Sequence, residues 1–283
     1  MKASRPVPGW VRWTLCALGG LIALIAWVLR VRRRVVLDNL RLAFPEKKER
    51  ERRAIARATY RNLGRMVPDF FLASRLTPDE LEKVFIHEGW ERFEQARARG
   101  KGVIACTAHF GNFEMLAAVH TLRGTPITMI SRRMGRSVAN DLWRKARAKA
   151  GVEDLIVERG ETLRAVRRAL GEGRVLGYVI DQNQPRRRAI FPTFFGVPAA
   201  TAPTPAILSL RTGAAVIFAL AVPVGDGRHR VIIEGPLEVP DTGKKDRDVF
   251  AFMQDLNNRL ERRVREHPDQ WFWLHRRWKT RPG

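Results

Sequence analysis

The sequence predicts an α/β fold with a mixed, mostly parallel central sheet flanked by helices. Three observations carry this. From about residue 100, short apolar runs alternate with longer amphipathic ones, the signature of strands and helices in a parallel sheet. The last two apolar runs are joined through Gly225-Asp226-Gly227, a turn sequence that makes that edge an antiparallel hairpin. The 283 residues are 45% apolar with eight Trp, enough to bury a real core and incompatible with a mainly disordered chain.

The elements follow in order. Residues 13–29 contain no charge and extend roughly 26 Å as a helix, close to the roughly 30 Å hydrocarbon core. Trp13 and Trp27 stand at the two ends of this run, and Arg30, Arg32, Arg33 and Arg34 follow. Interfacial aromatics and a positive flank predict a membrane-anchoring helix with the body on the cytoplasmic side. A cleaved leader needs a small-residue site, which this arginine run is not. A buried soluble helix and a shallow interfacial helix are the alternatives.

Residues 30–65 hold thirteen Lys/Arg against four Asp/Glu. Val36, Leu37, Leu40 and Phe44, then Ile55, Ala58, Tyr60 and Leu63, recur at helical spacing. Basic amphipathic helices beside an anchor suit anionic headgroups, and a solvated helix face is the plainer reading. The division expected is 1–34 for anchor and basic flanks and 35–283 for one catalytic domain, with 35–75 as membrane-proximal helices.

Further on, strands are expected at 103–107, 127–131, 155–158, 175–181, 215–222 and 230–234. Helices are expected at 111–122, 137–150, 161–171, 204–211 and 245–266. Two cysteines, Cys16 and Cys106, exclude a disulfide scaffold and a multi-cysteine zinc module. The formal charge of +23 demands an anionic partner, by charge alone nucleic acid, a membrane surface or an acidic protein. Arg outnumbers Lys 42 to 10, so part of this charge is compositional.

After the apolar run 103–108 stands His109-Phe110-Gly111-Asn112-Phe113-Glu114. Five steps on an ideal helix separate side chains by about 140°. The two meet only if His109 lies in the turn before the helix, where Gly111 permits a tight bend. The carboxyl end of a strand is where α/β proteins build sites. A His paired with a carboxylate is a general base, and a strand-end His that caps a helix is the plain alternative. His120 adds no spacing that matches a common metal motif, so no metal is expected.

Several stretches in order resemble the bacterial lipid A late acyltransferases, within the glycerolipid and lysophospholipid acyltransferase superfamily. They are the N-terminal helix, the His109–Glu114 motif, Arg132-Arg133 and Arg159-Gly160. Asp181-Gln182, Phe194-Phe195-Gly196 with Ala200-Thr201, and Trp273-Leu274-His275-Arg276-Arg277-Trp278-Lys279 complete the set.

The resemblance implies transfer of a fatty acyl chain from a carrier thioester to a hydroxyl of a membrane-embedded acceptor, without a cofactor or a covalent acyl-enzyme. His109 is then the base and Glu114 its orienting partner. Arg132 and Arg159 are candidates to hold the oxyanion, with the turn amides near Gly111 and Asn112 as rivals. Arg132 or Arg133 suits a phosphate clamp equally well. Asp181 and Gln182 either orient the acceptor or brace the site, or Asp181 simply caps a turn. Phe194, Phe195 and Gly196 line an acyl groove or belong to the core. His275, among tryptophans and arginines, is read as membrane-facing or structural.

The expected partners are acidic acyl carrier protein, anionic lipids of the bacterial inner membrane and a glycolipid or phospholipid acceptor, with no nucleic acid. A lipid A precursor is the leading acceptor. A lysophospholipid, an aminolipid or a phosphoinositol mannoside fits the same chemistry, and an anchored polyanion-binding protein is the reading of another class.

Overall fold

The computed structural model describes residues 9–73, 78–122, 124–131, 138–156, 162–225 and 228–283. Three helices come first: α1 (Gly9–Val28), α2 (Arg33–Ala43) and α3 (Glu49–Ala73). Next come α4 (Pro78–Val84), β1 (Phe85–Glu88), α5 (Trp90–Ala98), β2 (Val103–Thr107), α6 (Phe113–Leu122), β3 (Ile127–Ser131), α7 (Val138–Lys149), β4 (Glu153–Ile156), α8 (Thr162–Gly171) and β5 (Val175–Val179). A single 3₁₀ turn, Arg186–Arg188, leads to β6 (Thr193–Phe194), β7 (Val197–Pro198), α9 (Thr204–Thr212), β8 (Ala215–Gly225), β9 (Arg228–Leu237) and α10 (Lys245–Glu266).

Seven strands form one sheet in the order β1-β9-β8-β2-β5-β3-β4. Every neighbouring pair is parallel except β8–β9. The α/β class and the antiparallel hairpin are as the sequence predicts. The hairpin stands one strand in from the edge, because the short β1 adds outside β9. The inner strands β2, β5 and β8 are apolar on both faces, as a sheet covered by helices requires. One core lies against α2, α3, α8, α9 and α10, the other against α5 and α6. α10 takes the bounds its pattern predicts: Val249, Phe252, Met253, Leu256, Leu260 and Val264 are buried on one face, the 3.6-residue stripe of an amphipathic helix.

The N-terminal expectation requires correction. Among the described residues, no helix is long and apolar enough to cross a membrane. α1 leans along α3 instead. A Cβ on Gly19 would lie 2.0 Å from the Gly64 carbonyl oxygen, and one on Gly64 2.4 Å from that of Gly19. Small residues at the crossing bring the two backbones into contact, as between packed helices in general. Ala23 is buried there, and Trp27 meets Tyr60 edge-on, ring centroids 5.5 Å apart, with the Arg33 guanidinium 4.3 Å above it. The opposite side of α1 leaves Leu18, Leu21, Ile22, Ile25 and Val28 exposed. A glycine pair that reads as part of a spanning run is thus a helix-packing surface.

Candidate active site

The register of β2 on β5 pairs Thr107 with Val179, so His109 and Asp181, each two residues further on, leave neighbouring strands side by side. His109 Nδ1 lies 2.8 Å from Asp181 Oδ1. The His109 amide donates to Oδ2 at 3.1 Å, and the Trp271 indole N–H donates to the same oxygen at 2.8 Å. Asp181 is fully buried. Burial pushes its carboxyl upward, but the imidazole charge and hydrogen bond of His109 outweigh this, aided by His275 and Trp271, and hold it well below the usual range. Burial opposes charge on His109 too. Attraction to Asp181, its hydrogen bond and the more distant Glu114 outweigh burial and the repulsion of Arg147, leaving the imidazole more basic than usual. The pair is built to carry one proton on the imidazole while the carboxylate stays ionised.

Gly111 makes the bend. Its φ is +55°, and a Cβ there would lie 1.9 Å from the Ala221 carbonyl oxygen, so only glycine fits. Asn112 caps α6, its side-chain oxygen accepting from the Met115 amide at 3.3 Å. The turn amides are already spent: Phe110 on Ala108, Gly111 on Gln270 and Asn112 on Ala221. They are therefore no oxyanion hole in this arrangement.

Glu114 does not reach the imidazole as the motif suggested. It follows Phe113 at the start of α6 and points sideways to α7, where the Arg147 guanidinium grips both its oxygens, Nε to Oε2 at 2.8 Å. Arg147 also holds Asp154 of β4 at 2.8 Å. Glu114 is 3% exposed, and the carboxylate that meets His109 is Asp181. Sequence spacing missed this pairing because 72 residues separate the partners.

The other candidates divide. Gln182 is exposed. Arg132, Arg133 and Arg159 lie outside the described residues. Phe195 and Gly196 form a two-residue hairpin turn with φ of +53° and +71°, as a type I′ turn requires. Phe194 and Phe195 are buried with the tail tryptophans, Phe194 5.3 Å from Trp271 and 5.7 Å from Trp278 between ring centroids. They buttress the floor behind Asp181. A narrow apolar slot lies on the other face of the sheet. Phe113, Leu116, Ala117 and His120 of α6 line it against Thr107, Met129, Gly177 and Ala219. Phe113 touches His109 edge-on at 4.8 Å, so the slot starts beneath His109.

The C-terminal tail, read as membrane-facing or structural, is the site's back wall. The Phe272 amide donates to the His109 carbonyl at 2.9 Å. Trp271, Trp273 and Arg277 are buried, and Arg277 donates to Ala200 O at 2.7 Å and to Thr201 Oγ1. His275 stands 6.0 Å from His109, its pKa pushed down to about 4, chiefly by burial. His109, Asp181 and His275 offer ligand atoms within 4.8 Å of one another, the donor set a borderline divalent cation uses. The Nδ1–carboxylate hydrogen bond already commits two of them to each other. The signal that could have found Trp271 is the spacing of Trp271 and Trp273, the period of an extended segment with one face inward.

A strand-end imidazole held by a buried carboxylate on an α/β sheet is an arrangement that can serve as a general base. The model of the bacterial lipid A biosynthesis acyltransferases matches residues 6–280, and the chain belongs to that family of O-acyltransferases. It is 27% identical over 271 residues to the lipid A biosynthesis palmitoleoyltransferase of Escherichia coli (strain K12), covering 95% of this chain and 86% of that protein. It is 26% identical over 270 residues to the lauroyltransferase of the same organism, covering 94% and 84%. With the myristoyltransferase it shares 25% over 253 residues, covering 89% and 76%.

Proposed function

We propose that the chain moves a fatty acyl group from an acyl-carrier-protein thioester to a hydroxyl of a lipid A precursor, with His109 as general base and Asp181 as its orienting carboxylate. The carrying observation is the 2.8 Å contact of His109 Nδ1 with buried Asp181. It fixes the proton on Nδ1 and leaves Nε2 as the nitrogen that can accept one.

Nε2 takes the acceptor hydroxyl proton as that oxygen attacks the thioester carbonyl. The tetrahedral intermediate collapses with loss of the thiolate, and the imidazolium returns its proton to sulfur. Asp181 stays ionised throughout, and Glu114 adds a second, more distant negative field. With the turn amides spent, Arg132 and Arg159 are the side-chain candidates for the oxyanion, and Arg132 or Arg133 for an acceptor phosphate. The slot along α6 is the proposed acyl channel; with a volume of about 30 Å³ it must widen to receive a chain. Its lining at Phe113, Leu116, Ala117 and His120 spans about 10 Å of helix. The acceptor is a membrane lipid, so the enzyme works at the inner membrane with its site toward the cytoplasm, where an acidic carrier meets a basic protein.

The test is an assay with purified protein, acyl-carrier thioester and an under-acylated lipid A precursor. Wild type is expected to transfer one acyl chain, and folded His109→Ala to fall by at least about a hundredfold, the usual span of a lost general base. Equal rates would overturn the assignment of the base.

A further inference from the structure

Three groups that can each hold a metal meet at the base. His109, Asp181 and His275 offer ligand atoms that all lie within 4.8 Å of one another. They come from two strand ends and the tail, so no metal motif in the sequence marks them. Zinc–ligand bonds of about 2.0–2.1 Å put tetrahedral donors about 3.4 Å apart. His109 Nδ1 and Asp181 Oδ1 are already closer, at 2.8 Å. His275 has to close a remaining gap of about 1.4 Å at most.

The surroundings steady these ligands. Asp181 Oδ2 accepts from the His109 amide at 3.1 Å and from the Trp271 indole at 2.8 Å, which leaves Oδ1 for the imidazole side. The His275 carbonyl is pinned by Asn39 at 2.8 Å and by the Arg277 amide at 3.1 Å. The His275 ring stands edge-on to Trp271, 4.7 Å between centroids. Groups that fix a metal's ligands in this way accompany most metal sites. His275 Nε2 is buried and makes no hydrogen bond. Buried polar atoms are nearly all paired, so this exception asks for a partner such as an ion. Two imidazoles and one carboxylate suit a borderline cation such as Zn²⁺ rather than Mg²⁺ or Ca²⁺, which prefer oxygen. Three protein ligands leave the fourth position to solvent.

We propose that His109, Asp181 and His275 form a site for a borderline divalent cation, and that its binding switches acyl transfer off. The ion takes the place of the proton shared by His109 and Asp181. Bound at Nδ1, it moves that proton to Nε2, the nitrogen that has to accept one from the acceptor hydroxyl. Bound at Nε2, it occupies that lone pair directly. Either way no base remains. The switch rests on the acyl-transfer reading, and the metal site rests on geometry alone.

The experiment titrates the full-length protein, free of any histidine tag, with Co²⁺ and follows its visible d–d bands. Wild type is expected to bind one Co²⁺ per chain with the strong bands of four- or five-coordination, and Zn²⁺ to displace it. Losing a group that merely steadies a ligand costs about ten- to a hundredfold in metal affinity. His275→Phe removes a ligand and keeps a ring against Trp271, so it should bind at least about a hundredfold more weakly. His109→Ala, whose ring is part-exposed and less needed for folding, should do the same. Saturating Zn²⁺ should slow wild-type transfer at least about a hundredfold, the span of a lost general base, with recovery on adding EDTA. No bands in wild type, or bands unchanged in either folded variant, overturns the site. So does an added thiolate charge-transfer band, which would place the ion on the exposed Cys16. A bound ion that leaves transfer unchanged, or speeds it, overturns the switch. Wild type that binds Co²⁺ as expected yet transfers no acyl chain in metal-free buffer refutes the acyl-transfer reading and leaves the metal site standing.

Discussion

Replacing Asp181 with Asn keeps the shape and removes the charge that orients the base. The carboxylate now accepts from three donors: His109 Nδ1, the His109 amide and the Trp271 indole. An amide in its place offers one oxygen and one NH₂ group. With the oxygen facing the amide and the indole, the NH₂ faces Nδ1 and forces it to become the acceptor. The proton then moves to Nε2, and the base is lost. The electrostatic loss is comparable: two unit charges about 4 Å apart at an effective dielectric near 20 attract by about 4 kcal/mol, about a thousandfold in rate. The same change in a serine-protease triad costs about 10⁴. We therefore expect kcat to fall between about 10² and 10⁴ with KM little changed. The assay follows acyl transfer under saturating thioester, with circular dichroism to confirm the fold. An Asp181→Asn enzyme as fast as wild type, beside an inactive and folded Glu114→Gln, would refute this reasoning and restore Glu114 as the partner.

Four further outcomes follow from the same geometry. Trp271→Phe removes a hydrogen bond to a charged group, worth about 1.5–3 kcal/mol, and should slow transfer by about ten- to a hundredfold while the ring remains in the core. Glu114→Gln breaks a buried ion pair and should cost about 3–5 kcal/mol of stability in denaturant titrations, with Arg147→Met/Glu114→Gln losing less than the sum of the singles. A base must be neutral to work, so the acid limb of kcat/KM should lie above the ordinary histidine pKa of 6.5, because His109 is raised from that value. The same raised pKa adds stability that is full below the unfolded value and is lost as pH rises through the folded one. Ala117→Phe fills the slot along α6 and should shift preference among acyl thioesters toward shorter chains; an unchanged profile places the acyl chain elsewhere.

The sheet was legible where the sequence carries its own period. The strands at 103–107 and 127–131 and the helix at 245–266 lie where the pattern puts them. β1 was not, because four residues that include His87 and Glu88 look like a loop, and only pairing with β9 makes them a strand. Inside the site, His109 and the need for Gly111 were readable from one turn of chain. Its true partner was not, because strand order and register bring Asp181 alongside. Arg147 was hidden among 42 arginines, and its grip on Glu114 depends on how α7 lies against α6. The tail tryptophans misled in another way. Beside arginines they suggest an interface, but Trp273 and Trp278 turn inward while Arg276 and Lys279 face out.

The most direct measurement is the mass spectrum of lipid A from cells that lack this protein, complemented by wild type or by His109→Ala. The account predicts lipid A lighter by one acyl chain, restored by wild type and not by the variant. Lipid A of unchanged mass, or full restoration by His109→Ala, would contradict it.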